Sequence, residues 1–190
     1  MLKNLHSKSV FLASKSPRRK ELLESLGISF EIKLKDTNED FPSSIDIYEV
    51  AEFLATKKAN AFEPKHNEIF ITADTVVICN GIILNKPKDK REAQKMLTLL
   101  SDNKHEVVTG VCINSSENKI SFSEQTEVYF KSLTTKEIDF YIDNYQPFDK
   151  AGGYGIQEWI GKIGIKEIKG DYYNVVGFPL ARLYSFLIKL

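Results

Sequence analysis

Asp74 is the residue whose surroundings suit it least. It stands inside Ile69-Phe70-Ile71-Thr72-Ala73-Asp74-Thr75-Val76-Val77-Ile78, which otherwise reads as a buried strand. A carboxylate there needs a metal, a cation or several donors to offset its lost hydration. Oxygen ligation of Mg²⁺ suits it, as does general-base work beside that metal, with a salt-bridged structural Asp as the plain alternative. A second irregularity lies upstream. Ser16-Pro17 opens a helix, with Ser16 as N-cap and Pro17 at its first position. Arg18, Arg19 and Lys20 then fill the first turn, where cations oppose the positive end of the helix dipole at roughly 0.3–1 kcal/mol each. A bound anion removes that conflict, because backbone N–H groups and guanidinium forks converge on one phosphate. A solvated basic turn, or phosphorylation at Ser16-Pro17, accounts for the run equally well.

A third group is Gly152-Gly153-Tyr154-Gly155-Ile156-Gln157, followed by Asp171-Tyr172-Tyr173-Asn174-Val175-Val176-Gly177-Phe178-Pro179. Glycines let backbone approach a ligand closely, and a Gln amide can pair with a base edge through donor and acceptor together. A tight loop without function would also explain the glycines. The stretch is not a Walker loop, since no Gly-Lys-Ser/Thr follows. Lys86, in Asn85-Lys86-Pro87, stands at a strand end before a helix, where a surface lysine is unremarkable.

Other chemistries find less support. There is no Gly-x-Ser-x-Gly elbow. The three histidines, His6, His66 and His105, show no ligand spacing, and His105 at a strand start reads as structural. The two cysteines, Cys79 and Cys112, sit far apart in apolar runs and read as small buried hydrophobes of a reducing compartment.

Strand-like and helix-like segments alternate around these residues, which predicts an α/β protein. Val10–Ala13 reads as a strand, and the first helix carries Leu22, Leu23 and Leu26 to a stop at Gly27. Ile28, Phe30, Ile32 and Leu34 alternate as a half-buried strand. An amphipathic helix follows through Ile47, Val50, Phe53, Leu54 and the alanines 51, 55 and 59. Asn80-Gly81 supplies a hairpin turn after the Asp74 strand. Asp89 with Glu92, and Thr134 with Glu137, cap two further helices. Between those helices lie strands at 105–114 and 119–131. A last strand is predicted at 163–168, and a helix after Pro179.

The chain has 190 residues, so one domain spanning 1–190 is expected. Lys+Arg and Asp+Glu are both 26, so no global field favours nucleic acid or an anionic membrane, and an anion site must be local. No apolar run approaches the ~20 residues of a membrane span. Residues 1–20 are basic and free of acid, as a transit peptide would be. The strand at residues 10–13 argues instead for a cytoplasmic protein.

Taken in order, several stretches resemble the Maf family of nucleotide pyrophosphatases. They are Leu12-Ala13-Ser14-Lys15-Ser16-Pro17-Arg18-Arg19, Lys58-Ala59, Ala73-Asp74-Thr75-Val76-Val77, Leu84-Asn85-Lys86-Pro87, His105 to Val111, Lys150 to Gln157, and Asn174 to Pro179. The resemblance implies a mixed, twisted sheet with flanking helices and two lobes around a deep nucleotide-binding cleft, as in the inosine-triphosphate pyrophosphatases. It also implies a divalent cation, Mg²⁺ or Mn²⁺, and a homodimer. Asp74 then corresponds to the proton acceptor, and Arg18, Thr75 and Gln157 to positions that shape substrate use. Ser14, Arg19, Glu39, Lys58 and Lys86 fall on the phosphate and metal site, with Asp74 and Glu39 toward the metal. Gln157 in Tyr-Gly-Ile-Gln points to hydrolysis of dTTP and UTP to the monophosphate and pyrophosphate. The alternatives are a pyrophosphatase that prefers another nucleotide, such as 7-methyl-GTP or ITP, and a non-enzymatic division regulator whose cleft binds nucleotide without cutting it. Clearing modified nucleotides and arresting division are both implied roles. Three features depart from the pattern. Glu158 and Asp102 each replace a glycine, and the loop around Glu39 matches poorly. Glu158 is expected to bias the pocket toward a base that carries donors.

Overall fold

A computed structural model describes residues 2–190. Its elements, in chain order, are β1 (Ser9–Leu12), α1 (Pro17–Ser25), β2 (Glu31–Ile32), α2 (Val50–Ala59), β3 (Glu68–Cys79), β4 (Ile82–Leu84), α3 (Lys90–Leu100), β5 (Lys104–Ser115), β6 (Lys119–Phe130), α4 (Thr135–Tyr145), α5 (Trp159–Gly164), β7 (Ile165–Lys169), α6 (Tyr172–Val176) and α7 (Leu180–Leu187). The strands form one seven-stranded sheet in the order β2-β1-β3-β5-β6-β7, with β4 paired to β3. β1 runs parallel to β2 and β3, whereas β3–β4 and β6–β7 are antiparallel, so the sheet is mixed as expected.

The chain divides into two compact units, one of residues 1–74, 109–124 and 177–190, the other of 75–108 and 125–176. The first packs Leu12, Ile69, Ile71, Val111 and Ile113 of its strands against Leu23 of α1 and Leu183 and Leu187 of α7. A smaller cluster joins Ala55 and Ala59 of α2 to Cys112 of β5. Gly110 makes the close approach of α2 possible. A Cβ there would stand 2.3 Å from the backbone of Ala51 and Glu52, a distance no side chain tolerates. The second unit gathers Val77, Cys79, Val107, Val128 and Phe130 with Leu97 and Leu100 of α3, Tyr141 and Ile142 of α4, and Ile160 of α5.

Most of the local signals act as read. Ser16 caps α1 through the Arg19 amide, Pro17 takes the first position, and Gly27 follows with φ 70°. Asn80 and Gly81 turn the β3–β4 hairpin with φ 51° and 74°, the two positive angles of a type I′ turn. Asp89 caps α3, and Thr134 and Glu137 form the reciprocal capping box of α4.

Two expectations change. The strand predicted over Ile28–Leu34 shrinks to Glu31–Ile32, because β1 ends at Leu12 and its pairing with β2 is exhausted there. Ile32 and Leu34 are 49% and 45% exposed, so their alternation does not mark a buried face. The last strand begins at Ile165 because residues 159–164 form α5 instead, a helix whose two glycines mask its pattern. α6 was likewise not anticipated.

Candidate functional site

The position of Asp74 follows from two periodicities. Side chains two apart on a strand share a face, so Thr72 and Asp74 point the same way from β3. Residues three apart on a helix do likewise, which pairs Ala55 with Lys58 on α2. The Thr72 hydroxyl donates to the Ala55 carbonyl at 2.7 Å and fixes helix against strand. One turn further along α2, the Lys58 ammonium meets Asp74 Oδ1 at 2.5 Å. The same ammonium reaches Glu39 Oε1, from the loop before α2, at 2.7 Å. Asp74 and Lys58 are only 13% and 20% exposed, whereas Glu39 is 55% exposed. Lys58 lies in the last turn of its helix, where a cation also complements the dipole. The lone carboxylate of the apolar strand therefore has a cation, and a second carboxylate shares it.

Arg19 braces the same stretch of β3. Its Nη1 donates to the Ala73 carbonyl at 2.8 Å and to Ser14 Oγ at 3.3 Å, and its Nε donates to the Gly177 carbonyl at 2.9 Å. Loss of water pulls the guanidinium below its ordinary pKa, and the charge of Asp74 draws it back up. Ser14 Oγ also accepts from the Ser16 amide at 3.2 Å, linking the end of β1 to the N-cap. Within the first unit, then, Ser14, Arg19, Glu39, Lys58 and Asp74 form one connected group. Arg18 stands beside Arg19 on α1, half-buried.

The second unit holds Thr75, Lys86 and Gln157. Lys86 is exposed just beyond β4, and Gln157 is half-buried in the turn before α5. Gln157 Oε1 lies buried without a hydrogen-bond partner among the described residues, as an acceptor in need of a donor would. Its neighbour Glu158 is engaged within the protein. One carboxylate oxygen takes the Lys150 ammonium at 3.1 Å and the other the Tyr141 hydroxyl, so the expected bias of the pocket gives way to an internal ion pair. Sequence reasoning assigned no role to Thr72 or Tyr141. Thr72 left a signal, as a polar residue two places before Asp74 in an apolar run. Tyr141 did not, because an aromatic on a helix face reads as core.

Among the described residues no three His, Cys, Asp or Glu side chains cluster as metal ligands. Asp74 and Glu39 nevertheless suit Mg²⁺, which is commonly held by one or two carboxylates together with substrate phosphates rather than by an all-protein cage. No helix among the described residues is long and apolar enough to cross a membrane.

A mixed α/β sheet with the Glu39–Lys58–Asp74 group on β3 and two arginines in the first turn of α1 suits a protein that handles phosphate. Residues 9–190 match the family model of the Maf-like proteins, and the chain belongs to that family. It is similar to a dTTP/UTP pyrophosphatase of Parabacteroides distasonis, with 46% identity over 98% of both chains. It is also similar to proteins of that name from Phocaeicola vulgatus, 47% identical over the whole of both chains, and from Porphyromonas gingivalis, 48% identical over 98% of this chain and 96% of the relative.

Proposed function

We propose that the protein is a nucleoside-triphosphate pyrophosphatase that converts dTTP and UTP to the monophosphate and pyrophosphate. The observation that carries this reading is the Asp74 carboxylate held at 2.5 Å by Lys58. An anchored anion in a buried strand is oriented to take a proton from water. The relatives named dTTP/UTP pyrophosphatase, at 46–48% identity over nearly full length, support the choice of substrate.

In this reading water attacks the α-phosphorus, Asp74 accepts the water proton, and pyrophosphate leaves with the bridging oxygen. Arg18, Arg19, Lys58 and Lys86 offset the negative charge of the triphosphate and the charge that grows on the leaving group. Ser14 holds Arg19 in place from below. Asp74 and Glu39 would hold Mg²⁺ or Mn²⁺, which when bound supplies positive charge beside the phosphate oxygens. Gln157 presents its unpartnered Oε1 to N3–H of uracil or thymine, with Thr75 shaping the same choice. In cytosine N3 is an acceptor, so the contact would set two acceptors face to face. The reading includes a homodimer, which family resemblance implies, and a cytoplasmic location, for which the strand beginning near residue 10 argues.

The test is pyrophosphate release by purified protein with Mg²⁺ from dTTP, UTP, CTP, ITP and 7-methyl-GTP. We expect dTTP and UTP to be used comparably and CTP at least tenfold less efficiently, as a site built on hydrogen bonds leaves groups unpaired at roughly 1–3 kcal/mol each with a wrong base. Preference for ITP or 7-methyl-GTP would overturn the substrate, and binding without release would make the protein a nucleotide sensor.

A further inference from the structure

The turn that carries Gln157 is closed by a ring of hydrogen bonds. The Gly155 amide donates to the Tyr141 hydroxyl at 3.0 Å, and that hydroxyl donates to Glu158 Oε2. The Glu158 amide returns to the Gly155 carbonyl at 3.0 Å. Burial first, and the adjacent carboxylate second, push the Tyr141 hydroxyl far above its ordinary pKa, so it stays a donor. On the outer side Lys150, 8% exposed, binds Glu158 Oε1 at 3.1 Å and Asp149 at 2.6 Å. The ring leaves no spare room. A Cβ on Gly155 would lie 2.9 Å from the Glu158 carboxyl carbon, and one on Gly161 would lie 1.8 Å from the Ile156 carbonyl oxygen.

A buried amide oxygen without a partner calls for an explanation, and a backbone held from turning to satisfy it supplies one. Gln157, with Ile156, lies between the two pinned residues, Gly155 and Glu158. We propose that Glu158 is a positioning residue: with Tyr141 and Lys150 it clamps the turn so that Gln157 presents its acceptor to the base instead of pairing within the protein. This rests on the base-reading role given to Gln157 above. Glu158 touches no substrate atom, and its effect passes through Gln157. The clamp therefore governs discrimination between uracil and cytosine more than the chemical step.

Trp159, the single tryptophan, follows Glu158 directly and packs on Phe140 with ring centroids 4.8 Å apart, so its emission reports on this turn. The experiment titrates the full-length protein, with Mg²⁺, against the α,β-imido analogues of dUTP and dCTP and follows that emission. The wild type is expected to bind the uracil analogue about tenfold or more tighter, the equivalent of one lost pairing. Glu158→Ala should bring the ratio to within about threefold, while Glu158→Gln, which still accepts from Tyr141, keeps most of it. Tyr141→Phe removes the bridge but keeps the ring, and should act like the Ala variant even if that one folds poorly. A wild-type ratio retained in Tyr141→Phe, or in folded Glu158→Ala, overturns the clamp and leaves the function standing. A wild type without preference between the analogues removes the base-reading role, and the clamp with it.

Discussion

Lys58 holds Asp74 at 2.5 Å from the last turn of α2. The contact depends on the Thr72–Ala55 hydrogen bond, one helical turn and one strand repeat away. It follows that Asp74 can be changed chemically without being moved. Asp74→Asn still accepts from Lys58 but has lost its basicity. Turnover should fall by ~10²–10⁴-fold, the range of general-base catalysis, with the melting temperature nearly unchanged. Steady-state pyrophosphate release beside thermal unfolding reads both, and more than about a tenth of wild-type turnover would show that the proton goes elsewhere.

Arg19 was expected to act on phosphate, and the structure gives it three protein acceptors as well: Ala73, Gly177 and Ser14. Arg19→Lys keeps the charge but not the fork that reaches all three. It should cost about 1.5–3 kcal/mol, the range for hydrogen bonds to a charged group, and lower the melting temperature of the substrate-free protein by several degrees. An unchanged melting temperature would reduce Arg19 to a ligand-binding residue only.

Gly110→Ala should be among the more damaging single methyl additions in the first unit. The added carbon meets backbone at 2.3 Å, so α2 itself has to move. Overpacking of this kind costs typically about 1–3 kcal/mol, and the shift of α2 carries Lys58 away from Asp74. Denaturant unfolding checks the first effect and activity of the folded fraction the second. Full activity would show that α2 is not held where the Lys58 contact needs it.

His105 sets a pH dependence of stability. It is buried, its Nε2 pairs with the Tyr154 hydroxyl at 2.7 Å, and Nδ1 lacks a partner among the described residues. Burial lowers its pKa from 6.5 to about 3. Between those values the unfolded chain binds a proton that the folded chain refuses, so stability is complete above pH 6.5 and is lost as pH falls. From pH 7 to pH 5 this group alone removes about 2 kcal/mol. His105→Phe is less stable at both values because Tyr154 loses its partner, but its loss between them should be smaller by about that amount. Equal pH slopes in denaturant titrations would mean that His105 is protonated in the folded protein.

The elements were legible where local chemistry decides them. Caps at Ser16, Asp89 and Thr134 and the Asn80-Gly81 turn act through neighbours a few residues away, and each is found as read. What depended on partners distant in sequence was not legible. The strand over 28–34 was lost because its partner β1 is short, a fact about β1 that residues 28–34 do not contain. Asp74 announced itself by its apolar surroundings, but nothing near it named Lys58 as its cation. Resemblance, rather than spacing, supplied Lys58 and Glu39. Glu158 was misread because its partners, Lys150 and Tyr141, lie on other segments. Asp102, which also stands in place of a glycine, adopts φ 54°, a left-handed conformation that Asp tolerates better than most residues.

The claim on which the rest depends is attack by water at the α-phosphorus of a pyrimidine nucleoside triphosphate. It is tested most directly by turning over dTTP with the wild-type protein and Mg²⁺ in ¹⁸O-enriched water and weighing the products. The account predicts dTMP carrying one ¹⁸O from solvent and unlabelled pyrophosphate. Label in the pyrophosphate, release of dTDP and inorganic phosphate, or no turnover of dTTP at all would contradict it.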